Sequence, residues 1–108
     1  MTTTDPIKPS LNILVIGKDP EILKVVLRLL NDYQQAHYHA VGATDPDLAR
    51  ELFAGSDIGL VLMTNGIDAT LDASLREAFL SRKPNTRILQ HYGGGSGLLF
   101  AEIAQAMQ

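Results

Sequence analysis

The stretch Leu11-Asn12-Ile13-Leu14-Val15-Ile16-Gly17-Lys18-Asp19-Pro20-Glu21-Ile22-Leu23 decides how the rest of the chain is read. Leu11–Ile16 is almost continuously apolar, the mark of a strand buried on both faces. Gly17-Lys18 breaks the run. Asp19 then offers an N-cap oxygen, and Pro20 sits at the first helical position, where its missing N–H costs nothing. Ile22, Leu23, Val25, Val26, Leu27, Leu29 and Leu30 follow at helical spacing, with Glu21, Lys24, Arg28 and Asn31 on the other side. The segment reads as strand, turn and a helix that lies on a sheet.

The same grammar repeats along the chain. Tyr38–Val41 predicts a second strand and Gly42-Ala43-Thr44 a turn. Asp45-Pro46 is a second helix start, and Gly55 is placed to end that helix. Ile58–Met63 is another continuous apolar strand, and Thr64–Thr70 a loop. Asp72–Arg82 predicts a helix with Leu71, Leu75, Ala78 and Phe79 inward, stopped by Lys83-Pro84-Asn85. Asp68, Asp72 and Glu77 read as solvated. Arg87–His91 is the fourth strand, Tyr92–Gly97 a glycine-rich turn, and Leu98–Met107 a last helix with Leu99, Ile103 and Ala106 on one face and Leu98 beside them. Strand–helix alternation of this kind predicts an α/β fold: an open parallel sheet of four strands joined by right-handed crossovers, with helices on both faces. Met1–Ser10 has no periodicity and reads as a flexible tail, leaving residues 11–108 as one domain.

Composition narrows the function classes. The chain has 108 residues, 45% apolar and 19% charged, which suits one globular domain. It has no cysteine, so disulfides, thiolate metal sites and cysteine nucleophiles are excluded. A net charge of −3 argues against nucleic acid, whose phosphates call for a basic face. No apolar run reaches the ~18 residues of a membrane span. The first residues lack a signal-peptide core. The expected setting is cytoplasmic, with no nucleic acid and no membrane as partner.

Ile13-Leu14-Val15-Ile16-Gly17-Lys18-Asp19-Pro20-Glu21-Ile22-Leu23 resembles the opening of a response-regulator receiver domain. Gly59–Thr64 resembles that family's third strand and Ile88–His91 its fourth. The similarity spans roughly residues 11 to 92. It implies a three-layer α/β/α receiver-like sandwich with sheet order 2-1-3-4 and a place in bacterial two-component signalling. The departures fall on the chemistry. The acidic pair with which receivers hold Mg²⁺ aligns with Gly17 and Lys18, so the main oxygen ligands of a hard cation are missing. The phosphoacceptor aspartate aligns with Thr64, or with Asn65 one residue on. The switch Ser/Thr aligns with His91. The fifth strand and its Lys-Pro pair have no counterpart, unless the last helix replaces the usual fifth one. The resemblance implies a shortened pseudo-receiver: the scaffold is kept and the phosphorylation site lost.

In open α/β sheets, ligands bind at the carboxyl ends of the strands. Lys18, Thr64, Asn65, His91, Gly93, Gly94, Gly95 and Ser96 fall there and form the candidate ligand site. Glycines let a backbone approach an anion, and N–H groups at a helix start can hold one. The same glycines also serve a tight turn, and their spacing matches no nucleotide motif. His91 could act in acid–base or phosphoryl chemistry, or simply bond the loop. His37 and His39 share a strand face, as a Zn²⁺ or Cu²⁺ pair would, but no third ligand is near in sequence, and a solvent-facing strand explains them. No metal and no cofactor are expected, and no constellation marks an enzyme. Sheet order 2-1-3-4 leaves the fourth strand at an edge. Arg87-Ile88-Leu89-Gln90 is neither short nor heavily charged there, and uncovered edges of that kind pair with other chains. The leading expectation is a stand-alone pseudo-receiver that acts through a protein partner or as a homodimer, without phosphorylation. The alternative is a small-ligand sensor that takes an anionic or phosphate-bearing ligand at Gly93–Gly97 with Lys18 and His91. A phosphoryl-transfer enzyme using His91 ranks third.

Overall fold

The computed structural model describes residues 10–64, 66–90 and 96–107. Strands β1 (Ser10–Ile16), β2 (His37–Ala43), β3 (Leu60–Met63) and β4 (Arg87–Gln90) alternate with helices α1 (Pro20–Asn31), α2 (Pro46–Gly55), α3 (Ala69–Arg82) and α4 (Ser96–Ala106). All strand pairs are parallel, in the order β2-β1-β3-β4. Tail residues 1–9 lie outside the described residues, and Ser10 already belongs to β1.

The apolar run of β1 is buried on both faces as its sequence requires. Ile13 and Val15 enter a core layer with Leu23, Val26 and Leu30 of α1, Leu60 and Leu62 of β3, and Leu99 and Ile103 of α4. Leu14 and Ile16 enter the opposite layer with Phe53 of α2, Val61 and Met63 of β3, and Leu75 and Phe79 of α3. The helices are therefore divided two and two, α1 with α4 and α2 with α3. A right-handed crossover onto a strand beyond β4 would place its helix beside α2 and α3. Helix α4 lies on the other face, so it is not placed as a fourth crossover.

Local chemistry sets the helix ends. The Asp19 carboxylate accepts from the N–H groups of Glu21 and Ile22, at 2.9 and 3.4 Å. Asp45 accepts from Leu48 N–H at 3.1 Å. Asp68 accepts from Leu71 N–H at 2.8 Å, which starts α3 at Ala69, three residues earlier than the sequence reading. Four further expectations need correction. Gly42 and Ala43 belong to β2 and form no turn. Ile58 is buried but precedes β3. Leu98 is 48% exposed, off the inner face of α4. Asp72 is not free in solvent: it is largely covered and pairs with Arg76 one turn on.

The two sheet edges differ. Ala43 C=O accepts from the N–H of Gly17, just after β1, so in a parallel ladder Tyr38, Ala40 and Gly42 direct their backbone groups outward. The Asn31 side chain occupies the middle of that edge: its Oδ1 accepts from Ala40 N–H at 2.9 Å, and its Nδ2 donates to Ala40 C=O at 3.1 Å. One side-chain amide thus stands in for a neighbouring strand. Asn31→Ala leaves both groups to water. The expected result is about 1–2 kcal/mol of lost stability, with faster hydrogen exchange at Ala40 N–H than at its β2 neighbours. Unchanged exchange at Ala40 would contradict the clamp.

Candidate functional site at the carboxyl end of the sheet

The carboxyl ends of β1 and β3 lie side by side, Ile16 opposite Met63. The order reverses here, since β1 leads to β2 on one side and β3 lies on the other. Such a reversal is where open α/β sheets hold ligands. Thr64 follows β3 directly and is buried, 4% exposed. Its N–H and its hydroxyl both donate to Ile16 C=O, at 2.9 and 3.1 Å. Gly17 faces it so closely that a Cβ there would lie 2.1 Å from Thr64 Oγ1. Threonine thus fills the space between the two strand ends, and its proton is committed to a backbone carbonyl. A hydroxyl in that state gives its proton to a carbonyl, and no base bonds it among the described residues, as activation to a nucleophile would require.

Lys18 projects from the same end of the sheet and is exposed. Gly66, at φ +94°, passes against it: a Cβ on Gly66 would lie 3.3 Å from Lys18 Cβ. Asp19, the nearest carboxylate in sequence, is held as the cap of α1. The structure therefore brings Gly17, Lys18, Thr64 and Gly66 together. The other proposed ligand residues, Asn65, His91, Gly93, Gly94 and Gly95, lie outside the described residues, as does the side chain of Ser96. His37 and His39 are exposed on β2, and no group of three metal-ligating side chains occurs among the described residues. No described helix is long and apolar enough to cross a membrane.

Two features went unread in the sequence. One is the Gly17–Thr64 lock; its only signal is a glycine after one buried strand and a small hydroxyl residue after the next. The other is an aromatic stack, in which Tyr33 lies on Phe100 of α4 with ring centroids 3.8 Å apart and reaches Tyr38 at 5.4 Å. Burial, with the Tyr33 phenol beside it, pushes the Tyr38 hydroxyl above its ordinary pKa.

This arrangement, a parallel sheet in the order β2-β1-β3-β4 with helices on both faces, is matched by a solved structure. A signal receiver domain of an HD domain-containing protein from Pseudomonas fluorescens superposes with a TM-score of 0.60 at 19% identity, over 98% of this chain and 91% of that one. The chain has the receiver fold. Two further receiver-like matches are a pilus assembly-related protein of Burkholderia pseudomallei and a pilus assembly protein of Burkholderia thailandensis. Each gives a TM-score of 0.60 at 18% identity over 89% of this chain, and over 72% and 79% of their own. No family model matches the sequence, and no curated protein does. Within the receiver fold, Gly17, Lys18 and Thr64 sit at the strand ends to which the resemblance assigned the acidic pair and the phosphoacceptor.

Proposed function

We propose that the chain is a pseudo-receiver: one folded cytoplasmic domain that acts in signalling through protein–protein contacts and without phosphorylation. The observation that carries this reading is the Thr64 hydroxyl bonded to Ile16 C=O beside Gly17. Phosphoryl transfer to a receiver needs an acceptor carboxylate and a cation to screen the incoming charge. Here a buried threonine and an exposed lysine occupy those strand ends. Scaffold without acceptor leaves the surface as the working part, and the receiver fold supports a signalling context. The expected result with acetyl phosphate and Mg²⁺ is an intact mass identical to that of the untreated protein. A phosphoryl adduct on this chain would overturn the proposal.

A second reading rests on Lys18, an ammonium free of any ion pair among the described residues and close to Gly66. It takes an anionic or phosphate-bearing ligand at Lys18 and the glycine-rich turn. Titration of the ¹⁵N-labelled protein with nucleotides separates the two readings. Saturable shifts at Lys18 and Gly66 would put the ligand reading ahead; on the contact reading these resonances stay fixed.

A further inference from the structure

We infer that β4 pairs with the β4 of a second copy, antiparallel, about a two-fold axis through Leu89. This deepens the contact-module reading and rests on it. Arg87 N–H donates to Gly59 C=O at 3.2 Å, and Arg87 and Leu89 stand opposite Leu60 and Leu62. In a parallel ladder the residues alternate, so Arg87 and Leu89 bond to β3 while Ile88 and Gln90 turn their N–H and C=O groups outward. No strand lies beyond β4 among the described residues. After Arg87, the last three of its four residues, Ile88, Leu89 and Gln90, carry no charge and no proline, the usual devices that keep an edge unpaired.

The outward groups match themselves. In the antiparallel register that sets Leu89 opposite Leu89 of the second copy, Ile88 faces Gln90 of the second copy and Gln90 faces its Ile88. Each of these two pairs exchanges two hydrogen bonds, four in all. Leu89 meets its own copy on the α4 face of the sheet, and Ile88 packs on the α3 face; both are half-buried in one chain alone. Arg87 is drawn off the edge, its guanidinium donating to Ala106 C=O of α4 at 2.7 Å, so no like charges meet at the axis. The alternative of β4 on the β2 edge of another copy would be head-to-tail and open-ended. The Asn31 amide already occupies the middle of that edge. A closed pair through β4 is the remaining solution.

The chain contains no cysteine, so a single introduced one reports the register. Residues facing each other at a non-hydrogen-bonded antiparallel position lie about 4.5 Å apart, Cα to Cα, within disulfide range. Leu89→Cys is therefore expected to oxidise to a covalent dimer. Ile88→Cys is expected not to, since the two copies of residue 88 are offset by two positions to roughly 7–8 Å. Val25→Cys, exposed on α1, gives the background of random collision. Sedimentation of the wild type up to about 1 mM, where even a millimolar Kd would show, is expected to reveal dimers. Gln90→Pro removes only an outward N–H, which an edge strand tolerates, and is expected to weaken the dimer by roughly tenfold or more. Three results would overturn the inference: a wild type that stays monomeric throughout, cross-linking of Leu89→Cys no faster than of Val25→Cys, or a dimer that Gln90→Pro, still folded by circular dichroism, leaves unchanged. A phosphoryl adduct would remove the pseudo-receiver reading and leave the cross-linking result as it stands.

Discussion

A methyl group added at Gly17 is expected to cost about 2–4 kcal/mol of stability. The ideal Cβ of Gly17→Ala would lie 2.1 Å from Thr64 Oγ1, well inside any permitted contact. Threonine is β-branched and stiff at χ1, so the hydroxyl cannot drift aside by small torsions. Relief requires a change of rotamer, and that gives up the bond to Ile16 C=O within a buried site. A displaced, unsatisfied hydroxyl adds its desolvation cost to the overpacking. Urea denaturation of Gly17→Ala, Thr64→Ala and the double variant measures the lock. The double variant is expected to be more stable than Gly17→Ala alone, with a coupling of about 1 kcal/mol or more. Additive effects would show that the two residues do not oppose each other. The lock also bears on chemistry. An acidic side chain at position 17 cannot be accommodated while Thr64 remains, so a receiver-type acidic site requires changes at both strand ends.

Phe79→Ala is expected to lose about 3–5 kcal/mol, the range for deleting a buried aromatic side chain. Phe79 is 1% exposed on the inner side of α3 and meets the Phe53 ring of α2 at 4.5 Å with a 30° tilt. Both rings seal the layer over Leu14, Ile16, Val61 and Met63. Small domains have about 5–15 kcal/mol in total, so this single change is expected to leave the protein near its folding threshold. Leu80→Ala is the control, because the next side chain along the helix is 39% exposed. It is expected to cost under about 1 kcal/mol. Equal denaturation midpoints for the two variants would mean that α3 does not present Phe79 to the core.

What the sequence disclosed follows how local each determinant is. The apolar runs of β1 and β3 and the Asp-Pro starts of α1 and α2 are short-range features, and each was legible. The end of β2 was not, because Gly42 reads as a turn residue. Its real reason is distant: a Cβ there would meet Leu23 Cδ1 at 2.8 Å and Leu27 Cδ1 at 2.9 Å, where α1 crosses the strand. The start of α3 was set too late because Asp72, with a helical run behind it, resembles a cap as much as Asp68 does. Near the strand ends, Lys18 follows β1 and Thr64 follows β3, as the apolar runs before them imply. The bond that occupies Thr64 joins residues far apart in sequence and leaves no local mark. The Asn31 clamp on Ala40 is similar, since an asparagine ending a helix reads as an ordinary polar terminus. The inward face of α4 was half legible: Leu99 and Ile103 are fully covered, yet Leu98 beside them is turned out by the helical angle.

The stack of Tyr33 on Phe100 has a consequence for biosynthesis. It joins the end of α1 to α4, which is made after every other described element, and Leu99 and Ile103 of that helix complete the layer over Ile13, Val15, Leu60 and Leu62. Contacts between segments so far apart carry a large loop-closure cost and form late. On the ribosome, the α2–α3 side can assemble from residues already released, while the α1 side keeps an apolar strip open until residues 96–106 clear the exit tunnel. A nascent chain halted short of that point presents a half-covered sheet, the kind of surface that chaperones hold and proteases find.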